Sequence, residues 1–362
     1  MERHTHERRA VNHAEPINAA DRELQGDAEV PSATSQPCSV ESLAVVIPTA
    51  GRPDLLSRTL ASLADCERPQ QHRATIVIEN GARSGAEEVV RNCPLALGAR
   101  YLYCAAGNKS RALNEVLARL DEWQLSGDPL LVLYDDDVRL DPHNLSAYVS
   151  AATRARKRHF FGRPLHIEYE TEPAAWLKSY LPASATGWDL EVAQSFREQR
   201  LYVSGANWAA FASDLKRAGG FNELKGPGAA TGSIGQETDM QDRLSELGVA
   251  GCFVPEAQAW HFVPADRCSP AWARRRAYRR GVSHGLDLDE SSARLCGLPR
   301  WMLRDWLRRY WRFVTTRWAS DPETRFLAAR DLNWLSGVLK GIRIQRKSGS
   351  PVGAARGEGA NA

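Results

Sequence analysis

Four short apolar runs limit what this chain can fold into: LAVVIP (43–48), ATIVIEN (74–80), RYLYC (100–104) and PLLVLYDDD (129–137). Each has the length and the β-branched or aromatic content of a buried strand. Between them lie stretches with apolar residues at helical spacing: Leu55, Leu56, Leu60 and Leu63 after Pro53, then EEVVRN (87–92), then SRALNEVLARL (110–120). Strands alternating with helices in this way predict an α/β fold, a mostly parallel sheet with helices on both faces. Ligands of such sheets bind outside the carboxyl ends of the strands, so the polar residues there carry the argument.

Composition removes the other classes. A chain of 362 residues with 43% hydrophobic and 25% charged residues is not a disordered polymer, a collagen-like fibre or a small disulfide scaffold. No apolar run reaches the eighteen or so residues of a membrane-crossing helix. The start, MERHTHERRAVNHAEP, lacks the apolar core of a secretory signal. Seven cysteines without a C-x-x-C pair fit a reducing compartment, so a cytoplasmic location is expected. Residues 1–40 read as a disordered leader in which His4, His6 and His13 are solvated, and residues 348–362 as a flexible tail. Charge is uneven: residues 1–270 hold 28 Lys and Arg against 36 Asp and Glu, whereas residues 271–347 hold 18 against 7 with six of the eleven tryptophans. That asymmetry predicts an acidic body joined to a basic, surface-seeking segment over 286–347.

Asp135, Asp136 and Asp137 follow directly on LLVLY. Three adjacent carboxylates repel one another unless a cation or donors compensate them. Alternation along an extended chain predicts Asp135 and Asp137 on one side and Asp136 on the other. Two aspartates on one side suit Mg²⁺ or Mn²⁺ shared with substrate phosphates. An acidic turn before a helix starting near Pro142 is the alternative.

Further segments give this pattern a family. VVIPTAGRPDLLSRTLASL, IVIENGA, GNKSRALNEVL and YDDDV occur in that order, followed by SGANWAAFASDLKRAGGFNE, GQETDMQDRLSELG and AWHF. Together they resemble glycosyltransferase family 2, of the Rossmann-like GT-A fold, over residues 42–285. The signatures of P-loop, dinucleotide-binding and α/β-hydrolase proteins are missing. The resemblance implies that Pro48, Thr49 and Arg52 lie in the loop that holds the nucleotide. It makes Glu79 the acidic residue that reads the base, a solvated turn residue being the plain alternative. Lys109, Arg111 and Asn114 match the segment approaching the phosphates, and a helix N-terminus with cations suits a diphosphate. Asp135, Asp136 and Asp137 match the D-x-D stretch, with Asp135 and Asp137 as metal residues and Asp137 the more direct ligand. His261, in QAWHF, would complete the site, since imidazole suits Mn²⁺.

The family's catalytic base lies in an E-D-x-D-L segment, where this chain has Gln236, Glu237, Thr238, Asp239 and Met240. Glu237 is therefore the candidate base and Asp239 the second; service to the helix macrodipole is the alternative. The implied reaction is inverting transfer of a sugar from a nucleotide-diphospho-sugar, a UDP-sugar above all, to an acceptor hydroxyl. Gly205, Ala206 and Asn207 match the stretch lining the sugar and acceptor cleft. Trp208 beside them either stacks on a sugar or fills the core. The glycine-rich stretch 222–237 reads as a lid, and 169–200, with Trp176, Tyr180 and Trp188, as part of an acceptor wall.

In LPRWMLRDWLRRYWRFVTTRW (298–318), Leu303, Trp306, Leu307, Tyr310 and Val314 share one helical face and Arg304, Arg308 and Arg312 another. Such a helix either packs its apolar side on the protein or lies on an anionic membrane, which here means peripheral contact at the inner face through 299–318. No nucleic-acid module accompanies the arginines, so nucleic acid is not an expected partner. The acceptor class, whether glycan, lipid-linked or small molecule, is open. Two rivals stand beside this reading. A sugar-nucleotidyltransferase needs a glycine-rich basic loop that PTAGRPDLL matches poorly. A non-catalytic GT-A-like protein, binding sugar nucleotide or serving assembly, suits the Gln236-Glu237 departure.

Overall fold

The computed structural model describes residues 39–123, 125–163, 165–190, 200–288, 294–295 and 298–347. The expected leader, with its three histidines, and the expected tail lie outside these residues.

The elements run β1 Leu43–Thr49, α1 Pro53–Ala64, β2 His72–Asn80, α2 Ala86–Asn92, β3 Ala99–Cys104, α3 Lys109–Ala118, β4 Leu130–Tyr134 and β5 Val138–Leu140. There follow α4 Asn144–Arg154, β6 His159–Gly162, β7 Leu165–Tyr169, α5 Ala175–Lys178, β8 Asn207–Phe211, α6 Ala212–Arg217 and α7 Gln236–Glu246. The chain then forms β9 Ala250–Phe253, β10 Ala259–Val263, α8 Pro270–Asp287, α9 Arg300–Thr316 and α10 Pro322–Lys347. Seven strands make the main sheet in the order β3-β2-β1-β4-β8-β6-β9, parallel except for β8. Every residue of β1 is buried, as a central parallel strand covered on both faces requires. On one face Val45, Ile47 and Val132 meet Leu56, Leu60 and Leu63 of α1. On the other, Val46, Ile76 and Leu133 meet Leu113 and Val116 of α3 and Met240 and Leu244 of α7. The mixed α/β architecture expected from the alternating runs is therefore what the chain adopts.

A second sheet, β5-β10-β7, starts where the main sheet stops. Tyr134 ends β4, the chain turns at Asp136 and Asp137, and Val138 begins β5 antiparallel to β10. The register opposes His261 to Val138, which brings the histidine beside Asp137.

At the C-terminal side α8 and α10 interlock through glycines four apart on each helix, Gly281 and Gly285 against Gly337 and Gly341. A Cβ on Gly281 would stand 2.0 Å from the Trp334 carbonyl oxygen, and one on Gly337 2.0 Å from that of Tyr278. Backbones this close leave no room for a side chain. The stretch expected as a separate basic segment is thus joined to α8 across position 285. Phe326 of α10 packs on Trp176 and Tyr180, with ring centroids 5.4 Å away in each case. Two aromatics expected in an acceptor wall therefore dock the last helix, while Trp188 donates from Nε1 to the Tyr202 carbonyl (3.3 Å). Helix α9 buries Met302 and half-buries Leu303 and Trp306 against α10, and leaves Leu307, Tyr310 and Trp311 exposed. Among the described residues no helix is long and apolar enough to cross a membrane.

Candidate active site

The carboxyl ends of β1, β2 and β4, the N-termini of α3 and α7, and strand β10 converge on one place. The aspartate run does not stay extended there, which corrects the expected alternation. Because the chain turns after Tyr134, Asp136 and Asp137 fall together and Asp135 apart. The Arg52 guanidinium bridges Asp136 and Asp137, with Nη1 2.5 Å from Asp137 Oδ2. The Thr49 hydroxyl donates to Asp136 Oδ2 (2.6 Å). Burial pushes the Asp136 carboxyl up to about 6. Burial acts on Asp137 in the same sense, but His261, Arg52 and Arg267 outweigh it and hold Asp137 below the usual carboxylate range.

Asp137 and His261 pass a chemical test for a divalent cation. Asp137 Oδ1 is buried without a well-directed hydrogen bond and lies 3.2 Å from His261 Nε2. His261 Nδ1 faces the Ser184 carbonyl at 2.7 Å, so Nδ1 carries the ring proton. A neutral imidazole would then aim its Nε2 lone pair at a carboxylate oxygen, which is stable only with a cation between them or a second proton on the ring. Burial disfavours that proton, yet Asp137 raises the His261 pKa overall. Among the described residues no three His, Cys, Asp or Glu side chains form a closed metal cage. A site with two protein ligands leaves positions for substrate oxygens.

Asp135 joins a different pair. Lys109 Nζ sits 2.6 Å from Asp135 Oδ1 and 3.0 Å from Glu237 Oε1. Glu237 lies in the first turn of α7, after Gly235 at φ +90°, a conformation that favours glycine. Its side chain rests on Gly205, where a Cβ would come 2.3 Å from Glu237 Cγ. Burial opposes ionisation of Glu237, but Lys109 wins and its pKa lies below the ordinary 4.5. Asp239 is committed elsewhere, to Arg243 (2.8 Å) and Lys225 (3.2 Å). Gln236 is fully buried, with its side-chain oxygen 3.0 Å from the Ser110 hydroxyl. A neutral amide there avoids a buried carboxylate beside the half-buried Asp135 and Glu237.

The other expected residues separate into site and support. Pro48 borders the space between Lys109, Asp135, Gly205 and Glu237, which holds only about 10 Å³. Glu79 is not the solvated turn residue of the alternative reading: it is buried, and accepts from the Ser84 amide and hydroxyl (2.6 Å each) and from Tyr101 (2.5 Å). Burial resists its ionisation, but these donors keep its pKa low. Asn207 is fully buried, accepting from Tyr148 (2.9 Å) and donating to the Ala257 carbonyl (3.1 Å). Trp208 is 1% exposed and packs edge-on to Phe221, so the structure gives it the core role and not a stacking one. Arg111 points away and is exposed, 3.9 Å from Glu115.

Asn114 braces the glycine-rich loop, donating to the Phe221 carbonyl (2.9 Å) and accepting from the Phe221 amide (2.7 Å). The loop is strapped to α3: the Lys109 amide donates to the Pro227 carbonyl (3.1 Å) and the Ser110 hydroxyl to that of Lys225 (2.9 Å). The helix N-terminus expected to meet a diphosphate thus spends its first amide on the loop. Two cations escaped the sequence reading. Arg267 Nη1 lies 3.4 Å from Asp137 Oδ2, and Arg276 acts on Glu237 at longer range. The run RRR at 274–276 was a visible signal for the second; for Arg267 there was none.

A family description, glycosyltransferase like family 2, matches residues 41–283. The chain is similar to the succinoglycan biosynthesis protein ExoM of Rhizobium meliloti (strain 1021), 28% identical over 249 residues that span 67% of this chain and 73% of that protein. Among solved structures it is similar to the mannosyltransferase PcManGT from Pyrobaculum calidifontis in complex with GDP-Man and Mn²⁺. That likeness covers 89% of this chain and 90% of the other at 15% identity and a TM-score of 0.50, and it is one of fold, the GT-A arrangement.

Proposed function

The chain belongs to glycosyltransferase-like family 2 and is a glycosyltransferase of the GT-A fold; from that premise we propose that it moves a sugar from a nucleotide-diphospho-sugar to an acceptor hydroxyl with inversion. Glu237 is the base. One observation carries the proposal: Glu237, kept ionised by Lys109 and seated on Gly205, stands beside Asp135 at the end of β4.

Glu237 accepts the proton of the acceptor hydroxyl while that oxygen bonds to the anomeric carbon. The bond from that carbon to the diphosphate breaks on the opposite face, which inverts the configuration and needs no covalent intermediate. Lys109 fixes the carboxylate, and Arg52, Lys109 and Arg267 supply positive charge for the departing diphosphate. Asp137 and His261 would hold Mg²⁺ or Mn²⁺, which when bound supplies a Lewis acid to the leaving group. A UDP-sugar is the donor that the family resemblance favours. The Mn²⁺ and GDP-Man of the mannosyltransferase structure support a cation and a nucleotide sugar in general terms.

We place the enzyme in the cytoplasm, against the inner face of a membrane. The support is the exposed side of α9, where Leu307 and Trp311 are 50% and 64% exposed among Arg304, Arg308 and Arg312, with Trp318 just beyond the helix 72% exposed. The test of the reaction is a panel of nucleotide sugars assayed for hydrolysis with Mn²⁺. One donor should be cleaved in a metal-dependent way, and Asp137→Ala should lose that cleavage by orders of magnitude with its fold intact. Cleavage at the wild-type rate in that variant would remove the cation from the proposal.

A further inference from the structure

Helix α8 carries five arginines that no acidic side chain among the described residues pairs with, and two of them, Arg276 and Arg280, face a common space. They lie one helical turn apart and line a cleft of about 320 Å³ between α8, α9 and α10. Arg309 and Arg330 complete its charged lining, with Asp331 as its one carboxylate, beside Tyr180, Pro182 and Trp334. Arg309 and Arg330 are already balanced, Arg309 by Asp305 (2.8 Å) and Arg330 by Asp331 (2.9 Å). Arg276 and Arg280 are not. Arg276 Nε is buried and has no hydrogen-bond partner, which is costly for a guanidinium donor. Burial and the neighbouring Arg280 depress the Arg276 pKa, as expected for a cation waiting on an anion.

We propose that this cleft binds a phosphate or diphosphate group carried by the acceptor. Two uncompensated guanidinium groups call for a dianion; a carboxylate would offset only one. Arginine forks suit phosphate oxygens, which accept paired hydrogen bonds. Location adds a second argument. Arg276 is close enough to act on the ionisation of Glu237, so the cleft lies within reach of the candidate base. The donor diphosphate has its own cations in Arg52, Lys109 and Arg267. An anion held here would tether the acceptor with its hydroxyl free to reach Glu237. The inference deepens the transferase reading and rests on its placing of the acceptor beside Glu237.

The test uses the full chain in EDTA, which leaves the Asp137 and His261 site without a metal. Binding is measured for phenyl phosphate and for dihexanoyl phosphatidic acid, a lipid phosphate kept below its micelle concentration so that no membrane surface is present for α9. The wild type should bind at least one phosphate probe, and Arg280→Gln should weaken that binding about tenfold to a hundredfold, the worth of a charge-assisted hydrogen bond. Arg276→Gln should act in the same direction, and because Arg280 is exposed its variant decides if the other fails to fold. The probe whose binding drops names the source, a soluble phosphorylated acceptor or a lipid-borne one. Donor hydrolysis with Mn²⁺ should stay at the wild-type rate in Arg280→Gln. A wild type that binds neither probe, or an Arg280→Gln variant that binds both unchanged, overturns the inference. Loss of the transferase reading itself would show instead as a wild type that cleaves no nucleotide sugar.

Discussion

At the scale of single residues, the site depends on which carboxylates share which cations. Lys109 joins Asp135 to Glu237, and Arg52 joins Asp136 to Asp137, so the three aspartates are divided one and two by the turn after Tyr134. The sequence displayed the carboxylates and the lysine, but no spacing rule connects Lys109 to Glu237 across 128 positions. The same is true of Gly205, which read as part of a motif and proves to be the surface on which Glu237 rests. Gly205→Ala should therefore push the Glu237 carboxylate aside and lower nucleotide-sugar cleavage about a hundredfold, the usual cost of a displacement near 1 Å, with little change in melting temperature. An unchanged rate in a steady-state assay would show that the seat is not needed. Glu79 and Glu237 both ionise more readily folded than unfolded, so each adds stability that is complete above pH 4.5 and fades as pH falls through their lower folded values. Urea unfolding should show a flat stability from pH 7 to about 5 for this contribution and a fall below it, and the fall should shrink in Glu79→Gln.

At the scale of elements, strands and helices of the nucleotide half were legible because their apolar periods are clean and their ends carry Pro, Gly and polar residues. Pro53 opens α1, and Asn108 caps α3 by accepting from the Arg111 amide (3.1 Å). The docking of α10 was less apparent, although G-x-x-x-G stands in both α8 and α10. Glycine in a helix weakens its own turn, and only a partner backbone at van der Waals distance explains two such pairs. Gly281→Leu or Gly337→Leu should separate the helices and cost about 3 kcal/mol or more, seen in urea unfolding. A loss under 1 kcal/mol would mean that the helices can part without consequence. The sequence of α9 allows it to pack or to lie on a surface, and the structure packs one side on α10 and leaves the other exposed. If its exposed Trp311 and arginines, with Trp318 just beyond its end, meet a membrane, anionic vesicles should sediment the protein at low salt and release it at high salt. Trp311→Ser with Trp318→Ser should abolish sedimentation without changing donor cleavage. Retention of the double variant on the vesicles would place the contact elsewhere.

At the scale of the whole molecule, an acidic α/β body meets a basic helical layer, and the carboxylates and cations of the candidate site lie where the two are in reach of each other. The body was readable from the chain because strand order, strand ends and family motifs agree. The layer was readable only as a charge imbalance, because what arginines do depends on which of them find carboxylates, and that is decided by packing between α8, α9 and α10. Family and fold follow from the match over residues 41–283; the role of Glu237 does not, because the family's aspartate is a glutamate here. The central claim is thus that this longer carboxylate is the base. Its most direct test is the rate of sugar transfer, to water if no acceptor is in hand, in Glu237→Gln and Glu237→Asp at saturating donor and Mn²⁺. Glutamine fills the same space against Gly205 but cannot take a proton, so the rate should drop by roughly 10²–10⁴-fold with donor affinity kept. Aspartate, a methylene short of Lys109, should also be slow. A Glu237→Gln variant at full rate, with Asp239→Asn inactive, would contradict the account and give the proton to Asp239.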